Sequence, residues 1–135
     1  MQRLLSVISL LSLFMATPHA GETRDGPVSR AVFTTAIENT EPVDSLGELY
    51  SDAEQVFLFT ELRNMAGEVV VHTWEYKGSV IARIRFQVEQ PIARLWSDRR
   101  LTPDMQGSWR VVVTNASGTV LTEKTLDYNP DDLPF

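Results

Sequence analysis

The stretch "VVVHTWEYKGSVIARIRFQV", residues 69–88, decides how the chain folds. In its second half Val80, Ala82, Ile84, Phe86 and Val88 alternate with Ile81, Arg83, Arg85 and Gln87. A period of two marks a half-buried β-strand, so the first of these sets is expected to face a core. In its first half His72, Trp74 and Tyr76 also fall on alternate positions and share one face. Whether that face is core or binding platform depends on the turn at "YKGS", because a slip of one residue turns every side chain over. A two-residue turn at Lys77 and Gly78 would pair Tyr76 with Ser79 and place His72, Trp74 and Tyr76 outside, beside Arg83 and Arg85. A three-residue turn with Gly78 in the left-handed conformation would pair Glu75 with Ser79, and would set Trp74 near Val80 and His72 near Ala82. The second register agrees with the chemistry of both strands, since it buries Val70, His72 and Trp74 and leaves Val71, Thr73 and Glu75 outside. It is the preferred reading, with Tyr76 in the turn and His72 a hydrogen-bonded core histidine.

Outward from this hairpin the same period continues. Seven strands are expected, over Ala31–Glu38, Gln55–Arg63, Glu68–Tyr76, Val80–Glu89, Ile92–Ser97, Ser108–Asn115 and Thr119–Tyr128, bounded by turn residues. Short strands at this spacing predict an all-β antiparallel sandwich. The longest connection, "NTEPVDSLGELYSDAE", has Ser45 and Glu48 at capping-box spacing for one helical turn, against which Gly47 argues. "SDRRLTPDMQG", residues 97–107, is a second long connection, and Pro103 keeps it out of a central strand. "TNASGT" carries a glycosylation sequon at Asn115 but reads as a hairpin turn with Gly118 at positive φ.

The first twenty residues differ from the rest. Arg3, the apolar run Leu4 to Met15 and Ala20 as cleavage residue form a secretory signal pattern, too short to span a membrane as a helix. Cleavage would leave a chain from Gly21 with 11 basic and 18 acidic residues, net −7. Residues 21–29 read as a disordered lead, 30–128 as one sandwich domain and 129–135 as a loose tail. A periplasmic or secreted location follows, with no transmembrane segment after cleavage. The 135 residues, 43% of them hydrophobic, can fill one core. Without cysteine there is neither a disulfide nor a lipidated anchor, so stability has to come from packing.

The segments "VFLFTELRNMAGEVVVHTWEYKG" and "ARLWSDRRLTPDMQGSWRVVVTNASGTVL" resemble the bacterial domain of unknown function 2914, over about Ala31 to Tyr128. The shared features are Phe59, Thr60 and Glu61 before a turn at Gly67, then His72, Trp74, Ser97, Gly107, Trp109 and Gly118. The resemblance implies an immunoglobulin-like β-sandwich, often found at the C-terminal end of longer envelope proteins, and implies no established activity. The chain departs from many relatives in having only a signal segment ahead of the domain, which implies a free exported module.

The chemistry available for catalysis is thin. After the signal segment there is one histidine, no cysteine and no Gly-x-Ser-x-Gly elbow, so a serine hydrolase would need Ser97 or Ser108 beside His72. No cofactor is called for, and a lone histidine without cysteine predicts no zinc site. Asp127, Asn129 and Asp131 alternate as a calcium loop begins, but Asp132 stands where the loop needs glycine. Charge is more informative. Residues 21–76 hold three basic and eleven acidic groups, net −8, whereas residues 83–110 hold six Arg against Glu89, Asp98 and Asp104, net +3. The acidic balance argues against nucleic acid as a partner. Arg83, Arg85, Arg94, Arg99 and Arg100 are the candidate ligand-binding residues, through forked hydrogen bonds to carboxylate or phosphate. The function expected is therefore a non-catalytic binding or structural module of the bacterial envelope, with an envelope protein or acidic glycan as partner. A minor hydrolase using His72 is the alternative.

Overall fold

The computed structural model describes residues 26–50 and 54–130. The signal segment, residues 21–25 of the lead and residues 131–135 of the tail lie outside the described residues, as does Asp131 of the calcium-like alternation. The described strands are β1 (Val28–Thr34), β2 (Ile37–Glu38), β3 (Glu41–Pro42), β4 (Glu48–Leu49), β5 (Gln55–Arg63), β6 (Val69–Tyr76), β7 (Ser79–Gln87), β8 (Ile92–Arg100), β9 (Gly107–Asn115) and β10 (Val120–Tyr128). Seven of them are long, and six lie close to where the period of two places them; the first, expected over Ala31–Glu38, ends at Thr34, and Ile37–Glu38 forms the separate strand β2. β1 begins at Val28, two residues before the domain start expected at Arg30, and takes in the end of the expected lead.

Two sheets face each other, one ordered β1-β5-β8 and the other β4-β10-β9-β6-β7, with β2 and β3 as a small separate ladder. Alternate residues of each inner face fill the core. Phe33, Val56, Leu58 and Leu62 come from the smaller sheet, and Val70, Trp74, Trp109, Val111, Val113 and Leu126 from the larger. Trp74 is central, edge-on to Phe33 at 5.9 Å and to Trp109 at 6.4 Å between ring centroids. Such edge-to-face contacts use the charge pattern of the rings as well as their area.

The hairpin that opened the question has the two-residue turn and not the preferred three-residue one, and Tyr76 ends β6 instead of lying in the turn. Lys77 and Gly78 form a two-residue turn with φ of 49° and 83°, the positive pair of a type I′ hairpin, and Tyr76 pairs with Ser79. A β-bulge then changes the phase, since Glu75 pairs with Val80 but Trp74 pairs with Ala82, which leaves Ile81 as the extra residue. Val70, His72 and Trp74 are consequently buried, as the preferred register required, but by a different route. Val80 follows Glu75 to the outside and is 46% exposed, so it leaves the core set, and Ile81 is 42% exposed.

The segment expected to make a helical turn at Ser45 to Glu48 is extended instead. Leu46 N–H bonds to Phe33 O at 2.9 Å, Asp127 N–H to Gly47 O at 3.1 Å, and β4 pairs in parallel with β10. Neighbouring strands take the backbone groups that a helix would have paired internally. In the second long connection β8 runs on to Arg100, and a 3-10 turn follows at Pro103–Met105, whose Met105 carbonyl accepts the Trp109 indole N–H at 3.0 Å. The Asn115 sequon is a turn, with Asn115 Oδ1 accepting from the N–H groups of Ser117 (3.1 Å) and Thr119 (2.9 Å) and Gly118 at φ 85°. Among the described residues no helix is long and apolar enough to cross a membrane.

Candidate functional site

β5, β6 and β8 bring four polar side chains together between the sheets. Thr60 Oγ1 lies 3.1 Å from His72 Nε2, Ser97 Oγ 2.7 Å from His72 Nδ1, and the Trp74 indole N–H donates to Ser97 Oγ at 2.9 Å. Thr60 Oγ1 also donates to Leu95 O at 3.1 Å. That last bond fixes the direction of the others. With its proton on Leu95 O, Thr60 accepts from His72 Nε2–H, so His72 Nδ1 is the bare nitrogen and accepts from the Ser97 hydroxyl, which in turn accepts from Trp74. Each donor and each acceptor is used in one continuous chain, and among the described residues no buried side-chain polar atom lacks a partner. Burial pushes the His72 imidazole well below its ordinary 6.5, to about 4, so the ring is neutral.

The Ser97 to His72 distance is that of a nucleophile and its base, but the setting is different. His72 is 0% exposed and Ser97 5%, and the serine oxygen is already held by the tryptophan. What this arrangement does chemically is tie the two sheets across the core and fix one histidine tautomer. Ser97→Ala is therefore expected to cost about 2 kcal/mol, because it strands the Trp74 N–H and His72 Nδ1 together in a dry site. Urea unfolding checks this, and a loss under about 0.5 kcal/mol would mean that those groups find other partners.

A second cluster lies on the outer face of the smaller sheet, around Glu61, which is buried within the largely apolar β5. Its carboxylate meets Arg30 at 2.8 Å, Arg94 at 3.2 Å and Arg63 at 3.2 Å, and accepts from the Ser29 hydroxyl at 2.9 Å. The Arg30 bond above all, opposed by burial and helped by Ser29 and Arg94, holds the Glu61 carboxyl down to about 2. Arg30 also forks onto Glu41 at 2.7 and 2.9 Å and lies over the Phe59 ring, 5.0 Å from its centroid. Glu41 belongs to the β2–β3 hairpin, so this small ladder is latched onto the sheet through two shared guanidinium groups, those of Arg30 and Arg94. The base of the hairpin is closed by Asp44, which accepts from the Thr34 and Thr35 hydroxyls at 2.6 Å each and from Thr35 N–H at 2.8 Å. Burial opposes the charge of Asp44, and these bonds outweigh it, leaving its carboxyl below the usual range.

The five candidate arginines are not gathered in one place. Arg83 and Arg85 stand on the outer face of β7, in the larger sheet. Arg94 and Arg100 stand on the outer face of β8, in the smaller sheet, on the opposite side of the sandwich, and Arg99 lies half-buried on the inward phase between them. Arg94 is committed to Glu41 (3.3 Å) and Glu61. The other four make no ion pair among the described residues. Arg100 borders a hollow of about 420 Å³ with Glu54, Leu101, Thr102, Pro103 and Tyr128. Arg30 and Glu41, which organise the outer cluster, have no motif of their own in the sequence; the only pointer was a carboxylate inside the apolar run 56–62. Among the described residues no group of three or more His, Asp or Glu side chains is placed to hold a metal ion.

Fold and site together define a two-sheet β-sandwich module whose one core histidine is locked between the sheets. Residues 67–127 match the sequence model of the family described as "Protein of unknown function (DUF2914)", which supports the resemblance to that family. The match takes in His72, Trp74, Ser97, Gly107, Trp109 and Gly118, while Phe59, Thr60 and Glu61 precede it. No curated protein matches the chain.

Proposed function

We propose that the chain is an exported, non-catalytic binding module of the bacterial envelope that holds an acidic partner through its arginines. The observation that carries this reading is that Arg83, Arg85, Arg99 and Arg100 make no ion pair among the described residues, in a chain whose formal net charge is −6. In such a chain uncompensated guanidinium groups are a specific investment, suited to forked contacts with carboxylates. The polar groups that a hydrolase would need are spent on one another in the core, which also favours binding over turnover. Export through the signal pattern of residues 1–20, with a periplasmic or secreted location, belongs to the same proposal. So does the immunoglobulin-like likeness, supported by the Greek-key order in which the first, second and fifth long strands face the remaining four.

Polygalacturonate and polyglutamate are suitable acidic probes. Binding is expected to weaken as salt rises from 50 to 300 mM, because exposed charge pairs are screened beyond about 8 Å at physiological ionic strength. It is expected to fall at least fivefold in the Arg99→Ala, Arg100→Ala double variant. Salt-insensitive binding that survives the double change would remove these arginines from the site. Turnover of an ester, amide or glycoside that vanishes in His72→Gln with the fold retained would replace this reading by the hydrolase one.

A further inference from the structure

The two sheets differ in width, and the difference leaves one strand position open. Ser97 of β8 bonds to His72 and Trp74 of β6, so β8 lies over β6. Among the described residues the next strand of the larger sheet, β7, has no strand of its own across from it. Its inward residues Ala82, Ile84 and Phe86 are accordingly only half-buried, although their counterparts Val70, His72 and Trp74 on β6 are fully covered. Between Phe86 and the β8 residues Arg94, Leu95 and Trp96 lies a hollow of about 210 Å³. Trp96 is 36% exposed beside it.

The edge that borders this opening is long and regular. Among the described residues β8 pairs only with β5, through nine consecutive residue pairs from Ile92 to Arg100 without a register shift. It has no proline and no bulge; its guard is charge alone, from Arg94, Asp98, Arg99 and Arg100, which repels a cationic or apolar strand and admits an acidic one. A free edge presents unpaired N–H and C=O groups to any extended chain of suitable side chains.

We propose that an extended acidic segment of a partner protein docks here as an added strand, paired with β8 and covering β7. This rests on the proposed binding function and names its partner. Alternation follows from the geometry. Side chains on one phase would lie on Ala82, Ile84 and Phe86 and fill the hollow, so they are apolar. Those on the other phase would stand in the outer face beside Arg94, Trp96 and Asp98. Charge sets the rest. Arg83 and Arg85 lie on the far face of β7 and Arg94 is held by Glu41 and Glu61, so the cations open to an added strand are Arg99 and Arg100, which make no ion pair among the described residues. Arg99, half-buried on the inward phase at the far end of the edge, calls for a carboxylate at that end of the added strand. A second copy of this chain does not fit in antiparallel β8–β8 pairing, because its own larger sheet would enter the space of β7.

The test uses the full-length chain as exported and an eight-residue peptide alternating Glu and Val, long enough to span about 26 Å at roughly 3.3 Å per residue. Its controls are a peptide with the same residues in two blocks, one with Lys in place of Glu, and two N-methylated forms, methylated at the Glu or at the Val positions. The alternating peptide is expected to bind, the block and Lys peptides to bind at least tenfold more weakly, and one N-methylated form to lose at least tenfold while the other loses less than threefold. Amide hydrogen exchange is expected to slow along Ile92–Arg100. Equal loss in both N-methylated forms, equal binding of the block peptide, or slowed exchange along β7 instead of β8 would each overturn the proposal. If the peptide fails to bind while polygalacturonate binds and is lost in the double arginine variant, strand docking falls and the arginine reading stands. If neither probe binds, both fall.

Discussion

Trp74→Ala is expected to remove about 3 to 5 kcal/mol of folding stability, the range for truncating a fully buried aromatic residue. The side chain is 0% exposed, touches Phe33 across the sandwich and Trp109 along its own sheet, and gives its indole N–H to Ser97. Truncation opens a cavity between the sheets and frees one side of the Ser97 hydroxyl. A domain of this size has roughly 5 to 15 kcal/mol in total, so the variant is expected to be partly unfolded at 37 °C. Chemical denaturation followed by tryptophan fluorescence and circular dichroism checks this. Trp96→Ala is the matched comparison. Its ring is 36% exposed, and removing it is expected to cost under about 1 kcal/mol. Wild-type melting in the Trp74 variant would mean that the ring belongs to a surface after all.

Acid is expected to unfold the protein in two separable windows. The His72 imidazole falls from 6.5 in the unfolded chain to about 4 in the folded one, so between those values the unfolded state binds the extra proton. The contribution of His72 is fully present above pH 6.5, declines as pH falls, and is lost below about 4; its size is about 3 kcal/mol. Glu61 acts lower. Its carboxyl falls from 4.5 to about 2, so its contribution is present above 4.5 and is lost as pH falls toward 2. Unfolding free energies measured from pH 7.5 to 3 are expected to fall first along the histidine limb. In His72→Gln, which cannot gain the proton, the curve is expected to be flat between pH 6.5 and 5 and to decline only in the carboxylate window. An unchanged slope in that variant would assign the upper window to another group.

Period-two patterning made the long strands legible, and β5 follows it from Gln55 to Arg63 to the residue. Register was less so. Val80 and Ile81 are both apolar, so nothing in their chemistry marks which is the extra residue, and the bulge is chosen by how Trp74 and Tyr76 pack against Trp109. The core histidine was legible as a choice between faces, yet its partners Thr60 and Ser97 stand 12 and 25 residues away along the chain. Pairing at that distance is set by sheet order, which residue alternation does not encode. For the same reason Arg94 stood among the candidate ligand-binding residues, although it is bound to Glu41 and Glu61.

The central strand of the smaller sheet, β5, has a consequence for what counts as the folding unit. The family match starts at residue 67 and so covers β6 to β10 almost entirely but leaves out β1 and β5. Yet β5 supplies Val56, Leu58, Thr60 and Leu62, all without exposed surface, and among the described strands it alone is hydrogen-bonded to β8. A fragment confined to residues 67–127 would leave β8 with no ladder and Trp74 and His72 open to water. The matched segment is thus smaller than the cooperative one, and a chain cut at residue 67 would lose Phe33, Val56, Leu58 and Leu62 from its own interior.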